Sequence, residues 1–242
     1  MLVKNEMLFS TDMLIPGARL QPIISTHNGE LFGYEMLSHR LGSLDMEAYF
    51  EHAPRQVTRN ILQRQLSFAR HTEHDFYYFI NIPVRELTSP FLITEEAGDS
   101  KIIIEIQDPR SLLALSPQEM SALKKNVLAL QQAGYQVWID DMEDDLISVV
   151  DSLTFEVDGI KVDKLLFWSL SENMSRLRNL LTTFRQYSST LLIEGIETER
   201  HRAIAESCGV TYMQGYLWPE KILQDIPVTL QRIRCDQYND SV

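Results

Sequence analysis

The chain has 242 residues, 44% hydrophobic and 23% charged, enough apolar content to bury a sizeable core and too much for a disordered segment. Its formal charge of -12 excludes nonspecific binding to duplex DNA, which needs a basic surface. No stretch approaches the roughly 18 apolar residues of a spanning helix, and Met1 to Leu20, carrying Glu6 and Asp12, lacks the basic end and apolar run of a signal peptide.

These features predict a cytoplasmic protein without membrane insertion. Cys208 and Cys235 lie far apart without metal-ligand spacing and read as free or structural thiols in a reducing compartment.

In chain order, Leu20 to Ser25 and Leu31 to Leu37 flank His27-Asn28-Gly29-Glu30, a hairpin signal that predicts an antiparallel first strand pair. Strand-like apolar runs follow at Phe76 to Ile82, Lys101 to Ile106, Gln136 to Ile139, Gly159 to Val162, Leu191 to Ile193 and Val210 to Met213. Helical patterns lie between them. Ser116-Pro117-Gln118-Glu119 offers an N-cap, a proline at the first helical position and a capping-box glutamate, with Met120, Leu123, Val127 and Leu130 on one face and a stop near Gly134. A second pattern predicts one long helix from about Asp163 to Tyr187, on Leu166, Leu170, Met174, Leu177, Leu181 and Phe184. Alternating strands and helices with short connections predict parallel strands, and about eight of them favour an α/β fold closed as a (β/α)8 barrel. No linker or repeat marks a second domain, so residues 1–242 read as one domain with its core at about 18–236.

Polar residues interrupt the strands near their C-terminal ends, the active face of a barrel. They are Glu35, Asn81, Glu105, Asp140 with Asp141, Lys161 with Asp163, Glu194 with Glu197, and Gln214. Singly, a strand glutamate reads as a solvated edge residue and Asp-Asp as a helix N-cap. Together they place seven carboxylates on one rim, where burial and mutual repulsion demand a cation. An all-oxygen set without Cys or His suits magnesium, manganese or calcium better than zinc. Two such ions sharing a carboxylate suit displacement at a phosphodiester, with Asp140-Asp141 as bridge and second ligand. Lys161 either pairs with an acidic neighbour or orients water and a phosphate oxygen.

Gln21-Pro22-Ile23, Glu35-Met36-Leu37, Asn81, Glu105, Asp140-Asp141, Lys161-Val162-Asp163, Glu194-Gly195-Ile196-Glu197 and Gln214-Gly215-Tyr216 occur in this order over Leu20 to Pro219. This series resembles the EAL family of cyclic di-GMP phosphodiesterases, as a stand-alone EAL protein. The resemblance implies hydrolysis of cyclic di-GMP to linear pGpG on a modified TIM barrel with two magnesium or manganese ions, and inhibition by calcium. It implies metal ligation by Glu35, Asn81, Glu105, Asp140, Asp141 and Glu194, and catalytic roles for Glu35, Lys161 and Glu194. Gln21 and Pro22 would line the guanine pocket, and Leu37, Arg40, Asp163, Glu197 and Gln214 would contact substrate or support the site. A homodimer and a role in bacterial motility, fimbriae and biofilm are further expectations of the family.

Departures open an alternative. The family's Asp-Phe-Gly-Thr-Gly-Tyr-Ser-Ser loop reads Asp141-Met142-Glu143-Asp144-Asp145-Leu146-Ile147-Ser148, without glycine, and its supporting glutamate is Asp108. The arginine after Glu-x-Leu is replaced by His39, with Arg40 next. A weak or inactive module, acting as a cyclic di-GMP receptor or binding a protein partner, is the competing expectation.

Overall fold

The computed structural model describes residues 17–39, 53–71, 75–89 and 101–224. The Asn28-Gly29 turn forms as its sequence predicts: Gly29 takes φ 71°, its N–H donates to Ser25 O at 3.0 Å, and Ser25 N–H donates to Glu30 O at 2.9 Å. The turn joins β1 (Gly17–Ser25) to β2 (Leu31–His39), which pair antiparallel from Gly17 opposite His39 to Ile24 opposite Leu31.

From β2 the strands run parallel through β3 (Tyr77–Pro83), β4 (Ile102–Gln107), β5 (Gln136–Met142), β6 (Gly159–Val162), β7 (Leu191–Ile193) and β8 (Tyr212–Gln214). β8 pairs antiparallel with β1, which closes an eight-stranded barrel. A strand that the sequence pattern does not predict, β9 (Lys221–Gln224), pairs with Gly17 to Leu20 and extends the wall above β8. Its sequence, Lys221-Ile222-Leu223-Gln224, has only two apolar residues between polar ones and so lacks an apolar run.

The described helices are α1 (Arg55–His71), α2 (Val84–Leu87), α3 (Pro117–Gln132), α4 (Ile147–Ser152), α5 (Lys164–Leu170), α6 (Met174–Phe184) and α7 (Glu199–Ser207). The expected capping box at Ser116 and Glu119 is present at the start of α3. The single helix expected from Asp163 to Tyr187 is instead two. Asn173 accepts from Arg176 N–H with its side chain and starts α6 afresh, while Asn173 N–H donates to Leu170 O at 2.8 Å and ends α5. The apolar period survives the break because both pieces still bury their leucines on the sheet, Leu170 on α5 and Leu177 and Leu181 on α6.

Two apolar layers follow from strand alternation. Outward residues such as Ile80, Ile104, Ile139 and Ile193 pack beneath the helices, and inward Ile23, Phe79, Ile103, Trp138 and Leu192 fill the barrel. A register shift between Ile23 and Ile24 leaves Phe32 unpaired, and its ring stacks on Tyr77 and Tyr212 with centroids 4.7 and 3.9 Å apart. Trp138 lies opposite Gly159 on β6, where a Cβ would overlap the indole, so glycine makes room for the barrel's largest side chain. Thus, among the described residues, apolar side chains plug the N-terminal end of the barrel.

Candidate functional site

Side chains in a strand return to the same face every second residue. Two steps beyond the inward apolar layer, β3 therefore presents Asn81 after Phe79, β4 Glu105 after Ile103, and β5 Asp140 after Trp138. β6 presents Lys161 after Gly159, Glu194 follows Leu192 at the end of β7, and Gln214 follows Tyr212 on β8. β2 adds Glu35 and antiparallel β1 adds Gln21, its Cα partner. The sheet's pleat alone thus gathers a polar layer from all eight strands.

Lys161, fully buried, sits at its centre. Its Nζ lies 2.8 Å from both Asp140 Oδ1 and Glu194 Oε1, 3.1 Å from Glu105 Oε1 and 3.3 Å from Glu35 Oε2. Glu35 also accepts from Asn81 Nδ2 at 2.6 Å and from Gln214 Nε2 at 2.5 Å, and Gln214 Nε2 donates to Gln21 Oε1 at 2.8 Å. Glu105 is fully buried, yet neither of its oxygens accepts a hydrogen bond; Lys161 meets it only as an ion pair. Asn81 Oδ1 is likewise buried without a partner.

Oxygens of Glu35, Glu105 and Asp140 all lie within 4.8 Å of one another, as do those of Asp140, Asp141 and Glu194. Asp140 belongs to both groups. With Lys161 as the one cation of this layer among the described residues, five ionised carboxylates leave four negative charges, which two divalent ions would balance. The unpaired oxygens of Glu105 and Asn81 fit that demand, because hard cations take carboxylate and amide oxygens.

Without an ion the electrostatics are strained. Burial pushes Glu105 and Glu194 well above the usual carboxylate range and raises Asp140, against the opposing pull of Lys161. The charge of Asp140, then partial desolvation of the carboxylate at the mouth, raises Asp141 to about 7, although the residue as a whole is exposed. For Glu35, burial raises the pKa but is outweighed by Lys161 and by hydrogen bonds from Gln214 and Asn81, so it is lowered. Burial also opposes the charge on Lys161, but the surrounding carboxylates prevail and hold its pKa well above its ordinary value.

The tandem aspartates lie within β5, where the register slips between Ile139 and Met142. Asp141 takes φ 49°, a left-handed conformation that aspartate tolerates better than most residues. In the loop beyond, neither Glu143 nor Asp145 has positive φ, so the missing glycines are not required by this backbone. Instead Arg110 clamps the loop: its Nη1 and Nη2 donate to Asp145 at 2.9 and 3.1 Å, and Nη2 lies 3.0 Å from Glu143 Oε1. Arg110 belongs to the 3-10 turn Pro109–Ala114, which starts at Asp108, with φ 57° and accepting from Ser111 Oγ.

Not every expected residue joins the centre, and the seven carboxylates expected on one rim become five together. Asp163 caps α5, accepting from Leu166 N–H at 2.8 Å, although its charge still reaches Asp141. Glu197 is exposed on the loop before α7. Leu37 is half-buried two residues beyond Glu35, and Pro22 is buried in β1. Arg40 lies outside the described residues. Sequence reasoning missed Arg110, whose partners follow a different strand, and Arg19, which projects from the same face of β1 as Gln21 and pairs with Glu220 at 3.2 Å.

The family model for the EAL domain matches residues 17–220. Comparison with curated protein sequences finds no match. Among solved structures, the EAL enzyme Bd1971 with cAMP and cyclic di-GMP bound aligns with a TM-score of 0.68 at 17% identity, covering 90% of this chain and 64% of that one. An EAL domain protein from Listeria monocytogenes gives a TM-score of 0.65 at 19% identity, covering 93% of this chain and 92% of that chain. The Klebsiella pneumoniae BlrP1 complex with manganese and cyclic di-GMP gives 0.65 at 19%, covering 85% and 56%.

Proposed function

Because the chain belongs to the EAL domain family, we propose that it hydrolyses cyclic di-GMP to linear pGpG, lowering this bacterial second messenger. The observation that carries this reading is the pair of carboxylate groups sharing Asp140 around the buried Lys161. Glu35, Asn81, Glu105 and Asp140 would hold one magnesium or manganese ion, and Asp140, Asp141 and Glu194 a second. Ions bound there neutralise charge developing on the phosphodiester oxygens and make water a better nucleophile.

The chain's own residues do the rest. Lys161, kept charged by its carboxylate neighbours, donates to the attacking water and fixes its direction. Glu194, at the open side of the layer, takes the proton from that water as its oxygen bonds to phosphorus and the P–O3′ bond breaks, and the departing 3′ oxygen takes up a proton to become the free hydroxyl. Glu35 would hold the first metal and, through Gln214, fixes the position of Gln21. Gln21 lines the base pocket and Pro22, on the opposite face of β1 beside Tyr34, supports that strand from behind, while Leu37, Arg40, Asp163, Glu197 and Gln214 contact the nucleotide or support those that do. A single domain over residues 1–242, a homodimer, cytoplasmic residence and inhibition by calcium, which tolerates a looser oxygen shell, belong to the same reading.

The test is incubation with cyclic di-GMP and magnesium or manganese, followed by chromatography of the nucleotides, with Glu35→Ala as control. Product pGpG from wild type alone, and only with metal, is the expected result. The acidic loop Glu143 to Asp145, held by Arg110, favours a second reading: a receptor that binds cyclic di-GMP, or a protein partner, without turnover. Metal-dependent binding without product would select it.

A further inference from the structure

β1 is longer than the barrel needs. Ile23 to Ser25 complete the ring with β8, whereas Gly17 to Leu20 pair with β9 and rise beyond it on the open side. There Arg19 lies opposite Ile222 on β9 and opposite Leu37 on β2, so one row across three strands reads Ile222, Arg19, Leu37. Arg19 shares its face with Gln21, and two residues of strand set it roughly 7 Å above the polar layer. Among the inward side chains described on the strands, Lys161 and Arg19 are the two cations. Lys161 is surrounded by four carboxylates in the layer below, whereas Arg19 has one partner among the described residues: Nη1 donates to Glu220 Oε2 at 3.2 Å and to Oε1 at 3.5 Å. Its side chain is 35% exposed and that of Glu220 19%, so the guanidinium remains accessible from the mouth.

A cyclic dinucleotide carries two phosphodiesters, and making pGpG cuts one. The other keeps its charge and must be received on the wall above an acidic centre. We propose that Arg19 grips the phosphodiester that is not cut, exchanging the carboxylate of Glu220 for phosphate oxygens. The inference rests on the reading of the site given above. A guanidinium suits the role because its planar fork matches two phosphate oxygens, which an ammonium does not. Glu220 holds the fork in place when the site is empty and competes with the ligand. Ile222, 56% exposed, and Leu37 flank the cation with apolar surface against which a base or ribose packs.

The experiment measures binding of a fluorescent cyclic di-GMP in calcium, and binding of manganese alone by loss of the free-ion resonance. Arg19→Ala is expected to weaken nucleotide binding by about tenfold or more, Arg19→Lys by less, and Glu220→Gln to tighten it. None of the three should move manganese affinity, since the acidic layer lies below. Wild-type nucleotide affinity in Arg19→Ala overturns the proposal, as does a parallel loss of manganese binding or a weakening by Glu220→Gln, which would make the pair a structural clasp. If wild type itself neither binds nor cleaves the nucleotide, the functional reading fails and this inference with it; normal wild-type binding with an indifferent Arg19 sinks this inference alone.

Discussion

Asp140 and Asp141 are adjacent in β5, yet oxygens of both belong to one carboxylate group with Glu194. Adjacent strand residues point to opposite faces. The exception comes from the register slip after Ile139 and the left-handed Asp141, φ 49°, which turns its carboxylate back toward the mouth. Asp141→Asn should therefore keep the backbone, because asparagine also tolerates this conformation, and lose only the ligand charge. Turnover is expected to fall by about 100-fold or more, while the thermal midpoint of metal-free protein rises as repulsion from Asp140 is relieved. Asp141→Val should instead destabilise the fold by about 1–3 kcal/mol. Calorimetry of both variants with nucleotide chromatography separates backbone from charge; equal thermal midpoints would contradict the assignment.

The raised carboxylates predict how metal binding depends on pH. Asp141 is raised from 3.8 to about 7 in the metal-free protein, with Glu105 and Glu194 raised well above their usual range. A carboxylate with a higher pKa folded than unfolded binds its proton more tightly when folded, so metal-free stability falls as pH rises through that window. Metal binds the deprotonated form and removes the penalty. The gap in thermal midpoint between protein in saturating manganese and protein in chelator should widen as pH is raised from 3.8 towards about 7, where Asp141 ionises, and go on widening while Glu105 and Glu194 lose their protons. Thermal scans across that range check it, and a gap independent of pH would refute the electrostatic account.

Lys161 has the opposite dependence on metal. Its ammonium is the only cation among the carboxylates of the described layer, so Lys161→Met leaves buried charge without compensation. Removing one partner of a buried pair costs about 3–5 kcal/mol, which for a chain of this size lowers the thermal midpoint by about 6–20 °C. Manganese should recover most of that loss without restoring turnover, because it replaces the charge but not the donor to water. Recovery of turnover would remove Lys161 from the mechanism.

Period-two arithmetic explains why so much of the site was legible. Glu105 inside Ile-Ile-Ile-Glu-Ile and Glu194 behind Leu-Leu-Ile are conspicuous because the apolar neighbours fix the face on which each must lie. Once eight strands are set side by side, the layer containing Asn81, Asp140, Lys161 and Gln214 follows. Features that depend on contacts distant in sequence were hidden. Arg19 and Glu220 are 201 residues apart, and Arg110 reaches the loop after β5 from the turn after β4. The break at Asn173 was masked because α5 and α6 stay in phase on the sheet. The bend at Asp141 left no sequence signal, since aspartate serves equally well as strand end, cap or ligand.

Gly159 supports the polar layer from below. It lies opposite Trp138, and a methyl group there would overlap the indole, which packs edge-on against Phe79 with ring centroids 5.2 Å apart. The indole is 1% exposed, so it cannot yield towards solvent. Gly159→Ala should therefore cost about 1–3 kcal/mol by overpacking. The effect should also reach the site, because Trp138 precedes Asp140 by two residues and Gly159 precedes Lys161 by two, on strands whose separation sets the 2.8 Å ion pair. Weaker manganese binding is the expected companion of the stability loss. Trp138→Leu alone should destabilise by opening a cavity, but combined with Gly159→Ala it removes the overlap, so the double variant should be more stable than the two single losses predict. Chemical denaturation of all four proteins measures this coupling, and strict additivity would show that the glycine does not serve the indole.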